Sequence, residues 1–252
     1  MRSDDAAAGA VAPATIRVVI LAGGAGVRLR PYSTFLPKPL MPVGDMPILE
    51  VMLRQLATQG FRRITLSVNH LAELVRAFFG DGGRLGLEID YCVEDAPLGT
   101  AGSLALVEGV SDPFLAVNGD LLTTLDYRSL LASHVTRGAV ATVAAIRREV
   151  RVDFGVLETG PAGDLTAYVE KPTLDLTVSM GVNAFSREVL EFISPMTYLD
   201  VPELIGRLLE AGRRVVIHRQ GCEWLDIGRA EDHEEALRAF AERRGHFLPG
   251  DG

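Results

Sequence analysis

Of the 25 lysine and arginine side chains only Lys38 and Lys171 are lysines, and each precedes a proline, in PKP and in EKP. An ammonium is a compact, strongly hydrated point charge, whereas a guanidinium is a planar fork. Two matched lysines in a chain that otherwise uses arginine therefore raise the question of what needs such a charge. The segment before Lys38 suggests phosphate. Gly23-Gly24-Ala25-Gly26 follows a β-branched run and is itself followed by Arg28. Three glycines within four residues let the backbone approach a ligand and aim amides at an anion, and Arg28 and Lys38 supply charge. The spacing is neither GxxxxGK[ST] nor GxGxxG. A glycine-rich turn after a strand can also be only a turn, but the two cations beside it favour a phosphate ligand.

Two acids stand where a metal could be held: Asp120 in AVNGD, directly after a strand pattern, and Asp226 in EWLDIG. Mg2+ takes one or two protein carboxylates together with phosphate oxygens and water. Either acid alone reads equally well as a helix cap or turn residue; the phosphate loop shifts the pair toward metal. None of the five histidines, His70 and His134 included, has a partner at ligand or triad spacing, and surface positions are expected for them. Trp224, the only tryptophan, lies two residues before Asp226, either as a core aromatic or as a wall for a ligand ring.

These residues need a scaffold that brings loops together. Arg17–Leu21 reads as a buried strand running into the glycine cluster, followed by a helix over Pro47–Gln59, a strand at Arg63–Val68 and a helix over Leu71–Phe79. The alternation continues with strands at Leu87–Val93, Pro113–Val117 and Ala139–Ile146, and helices at Thr100–Val107 and Tyr127–Thr136. After Arg151 two short strands around PAGD precede a strand at Ser179–Phe185. Helices at Arg187–Ile193 and Val201–Ala211, a strand at Val215–Arg219 and a last helix over Ala230–Glu242 follow. Such alternation indicates an α/β protein with a largely parallel sheet covered on both faces, and ligands in such sheets sit beyond the carboxyl ends of the strands.

The 252 residues suit one sizeable core. A single domain over 16–242 is expected, with residues 1–15 as a disordered leader and 243–252 as a tail. The first segment carries two acids and no long apolar stretch, so it does not read as a secretory signal. With 48% hydrophobic residues and no bilayer-length apolar run, the composition is globular. Cys92 and Cys222 form no metal or redox spacing, which makes a reducing cytoplasm the expectation. A net charge of −8 argues against nucleic acid or an anionic membrane as partner. It leaves phosphate ligands open, because a few local cations and amides suffice for them.

In order along the chain, LAGGAGVRLRP, PKPLMPV, EDAPLGTAGS, VNGD, FGVLE, EKP and WLDIG resemble the motifs of sugar-1-phosphate nucleotidylyltransferases, closest to short bacterial mannose- or heptose-1-phosphate guanylyltransferase-like members. The resemblance spans about residues 16–240. It implies a Rossmann-like α/β/α sandwich with a mixed, mostly parallel sheet and a small β insertion over the sugar site. It further implies that Leu21, Ala22, Gly23, Gly24 and Gly26 cradle the nucleotide, with Asn118 nearby, that Arg28 and Lys38 contact the triphosphate, and that Glu94 and Gly99 face the base. Asp120 and Asp226 would hold Mg2+, while Gly155, Glu170 and Lys171 would meet the sugar phosphate, with Trp224 beside it. Arg28, Lys38, Lys171 and Asp120 would carry the chemistry. The length leaves no room for the C-terminal β-helix of some relatives, so a minimal catalytic unit is expected.

The chemistry needs few groups. A sugar phosphate is already an anionic nucleophile, so two polyanions must be brought together and the α-phosphorus made electrophilic. The chain departs from the family at Ser179-Met180-Gly181, where many members have Asn-Ala-Gly, so Ser179 replaces an amide that would reach sugar hydroxyls. That leaves open a heptose, a deoxy or amino sugar, or a cyclitol phosphate beside mannose or glucose. The partners implied are a nucleoside triphosphate and a sugar 1-phosphate, with a homo-oligomer left open. GTP is the expected donor, since an ionised Glu94 only accepts and guanine alone presents two neighbouring donors; dTTP or UTP is the alternative, and a solvated turn residue the alternative role for Glu94. A catalytically silent nucleotide-sugar sensor would lack the motif lysines or acids, all of which are present.

Overall fold

The computed structural model describes residues 11–24, 26, 29, 34–69 and 71–249. Strand β1 (Arg17–Leu21) is followed by the short pair β2 (Pro42–Val43) and β3 (Met46–Pro47), then α1 (Ile48–Thr58), β4 (Arg63–Val68), α2 (Ala72–Phe79), β5 (Glu88–Val93), the single turn α3 (Gly99–Gly102), β6 (Phe114–Asn118), β7 (Leu121–Thr123), α4 (Tyr127–Arg137) and β8 (Ala141–Arg151). The remainder comprises β9 (Val156–Thr159), β10 (Leu165–Val169), β11 (Thr173–Phe185), α5 (Val201–Glu210), β12 (Val215–Arg219), β13 (Trp224–Asp226) and α6 (Ala230–Phe247).

Seven strands form the central sheet in the order β12-β8-β11-β6-β1-β4-β5. Only β11 runs antiparallel to its neighbours. The strands are apolar on both faces because both are covered: Val18 and Ile20 of β1 join one core with Leu53, Leu56 and Leu66, while Val19 joins the other with Leu104, Phe114, Phe185 and Leu208. Helix α1 is apolar around most of its girth because it is shared. Leu49, Met52 and Leu53 face the sheet, and Ile48 and Val51 face a third core with Ile227, Phe240 and Phe247.

Register places the site. Leu21 lies opposite Asn118 on one side and Ser67 on the other, and Ser67 lies opposite Cys92, so four strand ends finish level. After β1 the chain builds outward through β4 and β5, then returns to place β6 on the opposite side of β1. The carboxyl ends of β1 and β6 therefore flank the topological switch where α/β sheets bind ligands. Strands β8 and β11 continue past the sheet as an exposed two-stranded arm beside the β9–β10 hairpin, which is the expected β insertion.

Several boundaries differ from expectation. The stretch expected as one helix from Thr100 is a single α turn followed by a 3-10 segment, Ser103–Leu106, because its glycines are poor helix formers and its amides are claimed from outside. Arg187–Phe192 is likewise 3-10. Strand β11 begins at Thr173, and the pairs β2–β3 and β7–β13 are too short to leave a periodic signal. The last helix runs past Glu242 to a buried Phe247, with a kink at Arg243. Of the expected leader, Pro13–Thr15 forms a 3-10 turn and Val11 packs on the core. His134 is not a surface residue. It is 2% exposed, with Nδ1 2.9 Å from Thr142 Oγ1 and Nε2 3.2 Å from Ser186 Oγ, and burial holds its pKa below the usual imidazole range. His70 lies outside the described residues.

Candidate active site

A cavity of about 280 Å3 opens beyond β1 and β6, lined by Leu21, Ala22, Gly24, Gly26, Asn118 and Asp120, with Lys38 at its side. Lys38 stands on a 3-10 turn between Pro37 and Pro39, and the ring constraint on both neighbours limits where its backbone can go. Its Nζ is paired with Asp120 Oδ2, and the two side chains are only 14% and 19% exposed. Asp120 Oδ1 is buried with no hydrogen-bond partner among the described residues. The Asp120 carbonyl accepts from Ile227 N–H at 3.0 Å, and Asp226 lies opposite Leu121 in the β7–β13 pair. The second expected acid is thereby brought beside the first by two three-residue strands.

A second cavity of about 240 Å3 adjoins the first, sharing Leu21, Gly24 and Thr100, and is lined further by Gly23, Glu94 and Gly99. Glu94 is 8% exposed, so it is no solvated turn residue. Its Oε1 accepts from Ser67 Oγ–H at 2.9 Å and its Oε2 from Leu98 N–H at 3.1 Å. The carboxylate thus ties β4 to the 94–98 loop. A carboxylate has about four lone-pair positions, so each oxygen keeps acceptor capacity beyond its internal bond.

The sugar-side candidates lie apart from these cavities, on the arm and hairpin. Gly155 packs against Tyr168, whose hydroxyl would lie 2.5 Å from a Cβ there, and Tyr168 O–H donates to Glu170 Oε2 at 3.3 Å. Lys171 follows at once, exposed and with a left-handed φ of 45°. Ser179 is exposed, and its Oγ accepts from Gly181 N–H at 3.3 Å. Gly181 has φ +72°, and a Cβ on it would lie 2.5 Å from Asn118 Nδ2. Asn118 therefore bridges the nucleotide-side strand β6 and an irregular stretch of β11. Trp224 packs on the core, as one of its two expected roles requires, and its Nε1–H donates to Met180 O at 2.9 Å in the strand that carries Ser179. Arg28 lies outside the described residues.

Residues 17–243 match the family model described as "Nucleotidyl transferase". The chain belongs to this family. Among relatives of this nucleotidyl transferase, a UTP–glucose-1-phosphate uridylyltransferase of Synechocystis is 31% identical over 90% of the chain. A mannose-1-phosphate guanylyltransferase of Mycobacterium tuberculosis is 33% identical over 86%. The chain spans 64% and 62% of the lengths of these two proteins. The crystal structure of HddC from Yersinia pseudotuberculosis complexed with GMP-PN superposes with a TM-score of 0.67 at 25% identity, covering 89% of this chain and 99% of that one.

The nucleotidyl transferase fold thus gathers Leu21, Ala22, Gly23, Gly24, Gly26, Lys38, Glu94, Gly99, Asn118 and Asp120 around two contiguous cavities. The lining residues not anticipated from sequence include Thr100, Tyr198 and Asp200. Asp200 carries a weak signal, since an aspartate before Val-Pro-Glu reads as a cap for α5. Its side chain makes no such cap bond and turns to Thr100 instead. Burial pushes its carboxyl up, but hydrogen bonds from Thr100 N–H, Tyr198 O–H and Thr100 Oγ–H outweigh that and hold it below the usual carboxylate range. The same bond to Asp200, with its charge, pushes the Tyr198 phenol up.

Proposed function

We propose that the protein transfers a nucleotidyl group, GMP from GTP, to a sugar 1-phosphate, giving a nucleotide sugar and pyrophosphate. The observation that carries the reading is the Lys38–Asp120 pair beside the glycine loop, at the level ends of β1 and β6, with Asp120 Oδ1 left unpaired. A buried carboxylate oxygen without a donor is costly unless a ligand completes it. A second carboxylate, Asp226, stands on the adjacent short strand. Two carboxylates side by side fit Mg2+, which takes few protein ligands and leaves positions for phosphate. Among the described residues no cluster of three or more His, Cys, Asp or Glu side chains competes for a metal. Asp120 and Asp226 would hold the ion, which when bound offsets negative charge on phosphate oxygens.

The chain's own groups supply the rest. Backbone amides of the glycine loop and Lys38 bind and orient the triphosphate, Lys38 on the departing pyrophosphate side. Lys171 on the hairpin neutralises the attacking sugar phosphate. One oxygen of that phosphate bonds to the α-phosphorus as the bond to pyrophosphate breaks, with no proton to remove. Positioning and electrostatics then carry the catalysis. Guanine is favoured because Glu94 offers two acceptor oxygens to N1–H and the N2 amine; the uridylyltransferase similarity makes UTP the rival donor. The unit proposed is one catalytic domain over 16–242. No helix among the described residues is long and apolar enough to cross a membrane, and Cys92 and Cys222 are free thiols, as suits the cytoplasm proposed for it.

The test is pyrophosphate release with Mg2+ over a grid of nucleoside triphosphates against mannose, glucose, heptose and cyclitol 1-phosphates. Turnover with GTP and at least one of these is expected. No release with any pair would overturn the transferase reading, and a wide preference for UTP or dTTP would overturn the guanine assignment alone.

A further inference from the structure

A strap formed by Pro195–Asp200 crosses the amino end of α3 and brings to the cleft two side chains that the transferase reading leaves without a role. Leu199 O accepts from both Ala101 N–H and Gly102 N–H at 2.9 Å, and Leu199 N–H donates to Leu98 O at 2.9 Å. Asp200 Oδ1 accepts from Thr100 N–H at 2.9 Å and from Thr100 Oγ–H at 3.0 Å, while Thr100 Oγ1 accepts from Val201 N–H at 2.9 Å. Gly99 has φ +76°, and a Cβ on it would lie 2.5 Å from Leu199 O. Glycine is therefore demanded there by the strap, before any ligand is considered.

Two consequences follow. The amides of Thr100, Ala101 and Gly102 are all engaged by the strap, so α3 has none of them to offer a phosphate. The Thr100 hydroxyl, though its residue lines both cavities, is committed as donor and acceptor. What the strap presents instead is Tyr198. Its ring stands at the edge of the cavity that contains Glu94, 58% exposed, while its hydroxyl donates to Asp200 Oδ2 at 2.8 Å. An aromatic ring left open to solvent but tethered at its far end has already lost rotamer freedom without burying its faces. Such a ring is preorganised for a flat partner.

We propose that Tyr198 is a base-binding residue of this enzyme, the wall on which the nucleobase stacks, and that Asp200 is the positioning residue that holds it. The inference rests on the nucleotidyl transfer proposed above and extends it. Glu94 reads the edge of the base, whereas Tyr198 takes its face. A purine overlaps a phenol ring more fully than a pyrimidine does, so the wall favours GTP over UTP beyond what Glu94 contributes.

The experiment uses the full chain. Calorimetric titration with GTP and with UTP, both with Mg2+, gives dissociation constants for the parent, Tyr198→Ala, Tyr198→Trp and Asp200→Asn. Steady-state assays give KM for the sugar 1-phosphate of highest turnover. Tyr198→Ala is expected to weaken GTP binding about tenfold or more, within the range that base–aromatic stacking gives on truncation to alanine, and to weaken UTP binding less. Tyr198→Trp, which keeps a flat ring, is expected to stay near the parent. Asp200→Asn keeps an acceptor for Thr100 N–H and should give a smaller loss confined to the nucleotide. In each variant the sugar-phosphate KM and the unfolding temperature should hold, which a merely structural role would not allow. A Tyr198→Ala protein that binds GTP as tightly as the parent, or one whose sugar-phosphate KM rises in step, overturns the proposal and leaves the transferase reading standing. A parent protein that binds neither nucleotide overturns both.

Discussion

Replacing Glu94 by glutamine isolates base recognition from folding. The wild-type carboxylate has two internal donors to satisfy, Ser67 Oγ–H on Oε1 and Leu98 N–H on Oε2. A backbone N–H can only donate, so the glutamine carbonyl must face Leu98. The new NH2 then falls on the Ser67 side, where the hydroxyl can turn and accept instead. Both internal contacts survive, and the unfolding temperature should change little. On the cavity side the change is larger, because an oxygen that could accept from guanine becomes a nitrogen that can only donate. The oxygen affected is Oε1, 2.9 Å from where a Cβ on Gly23 would stand. A hydrogen bond to a charged group is worth about 1.5–3 kcal/mol, so kcat/KM for GTP should fall on the order of tenfold to a hundredfold. The dTTP or UTP value should hold or rise, since each pyrimidine offers carbonyls for the new donor. Pyrophosphate release at subsaturating nucleotide measures both, beside thermal unfolding. An equal fall for GTP and UTP at an unchanged unfolding temperature would refute the idea that Glu94 reads the base.

Asp120→Asn and Asp226→Asn are each expected to remove nearly all turnover while leaving the far-ultraviolet circular dichroism intact, because an amide replaces a carboxylate proposed to hold Mg2+; near-parent activity at saturating Mg2+ would take that residue out of the site. The lysines should separate by kinetics: Lys171→Ala should chiefly raise KM for the sugar phosphate, Lys38→Ala should chiefly impair use of the triphosphate, and arginine at either place should also be poor. A Lys171→Arg enzyme as active as the parent would mean that the scarcity of lysine carries no information. His134 gives a pH signature in stability. Burial depresses its folded pKa, so the unfolded chain takes up the proton first as pH falls through the ordinary imidazole range near 6.5. Its contribution is present in full above that value and is lost as pH falls toward the folded pKa. The unfolding temperature should therefore drop between about pH 7 and 5, and His134→Gln should flatten that drop.

The fold was legible because its signals are periodic or positional. Strands β1, β4 and β12 have the bounds read for them from their β-branched centres, and the loops that follow β1 and β6 carry the glycines and Asp120. The two lysines stand out for a related reason: a residue type rare in the whole chain is conspicuous wherever it stands. Buried polar residues were harder. His134 sits on α4 at a position that the chain alone reads as solvent-facing, and only the arrival of Thr142 and Ser186 from β8 and the end of β11 explains its burial. Glu94 was read for its acceptor chemistry, but that chemistry is shared between the cavity and two internal donors, one of them twenty-seven residues earlier.

The strap is the limiting case. Asp200 and Thr100 are one hundred residues apart in sequence, and each has a sufficient local explanation, a cap before α5 for the aspartate and a helix start for the threonine. Both local explanations fail because each side chain finds a better partner in the other, and neither segment alone records that choice. The observation that does record it is Gly99. A glycine at a strand-to-helix loop in a nucleotide-binding fold invites the reading that a ligand needs the space, yet here Leu199 O and Asp200 Oδ1 occupy it. The two readings make opposite demands on Gly99→Ala. If only the ligand required the glycine, alanine would meet no more than the cost of its positive φ, and the main loss would be in nucleotide binding. With the strap occupying the space, alanine must displace Leu199 O and adopt a positive φ that costs it on the order of 1 kcal/mol or more. The unfolding temperature should then fall together with nucleotide affinity, because the same displacement frees α3 and the ring of Tyr198. A Gly99→Ala protein of unchanged stability would show that the strap yields without cost, and the positioning role given to Asp200 would lose its structural basis.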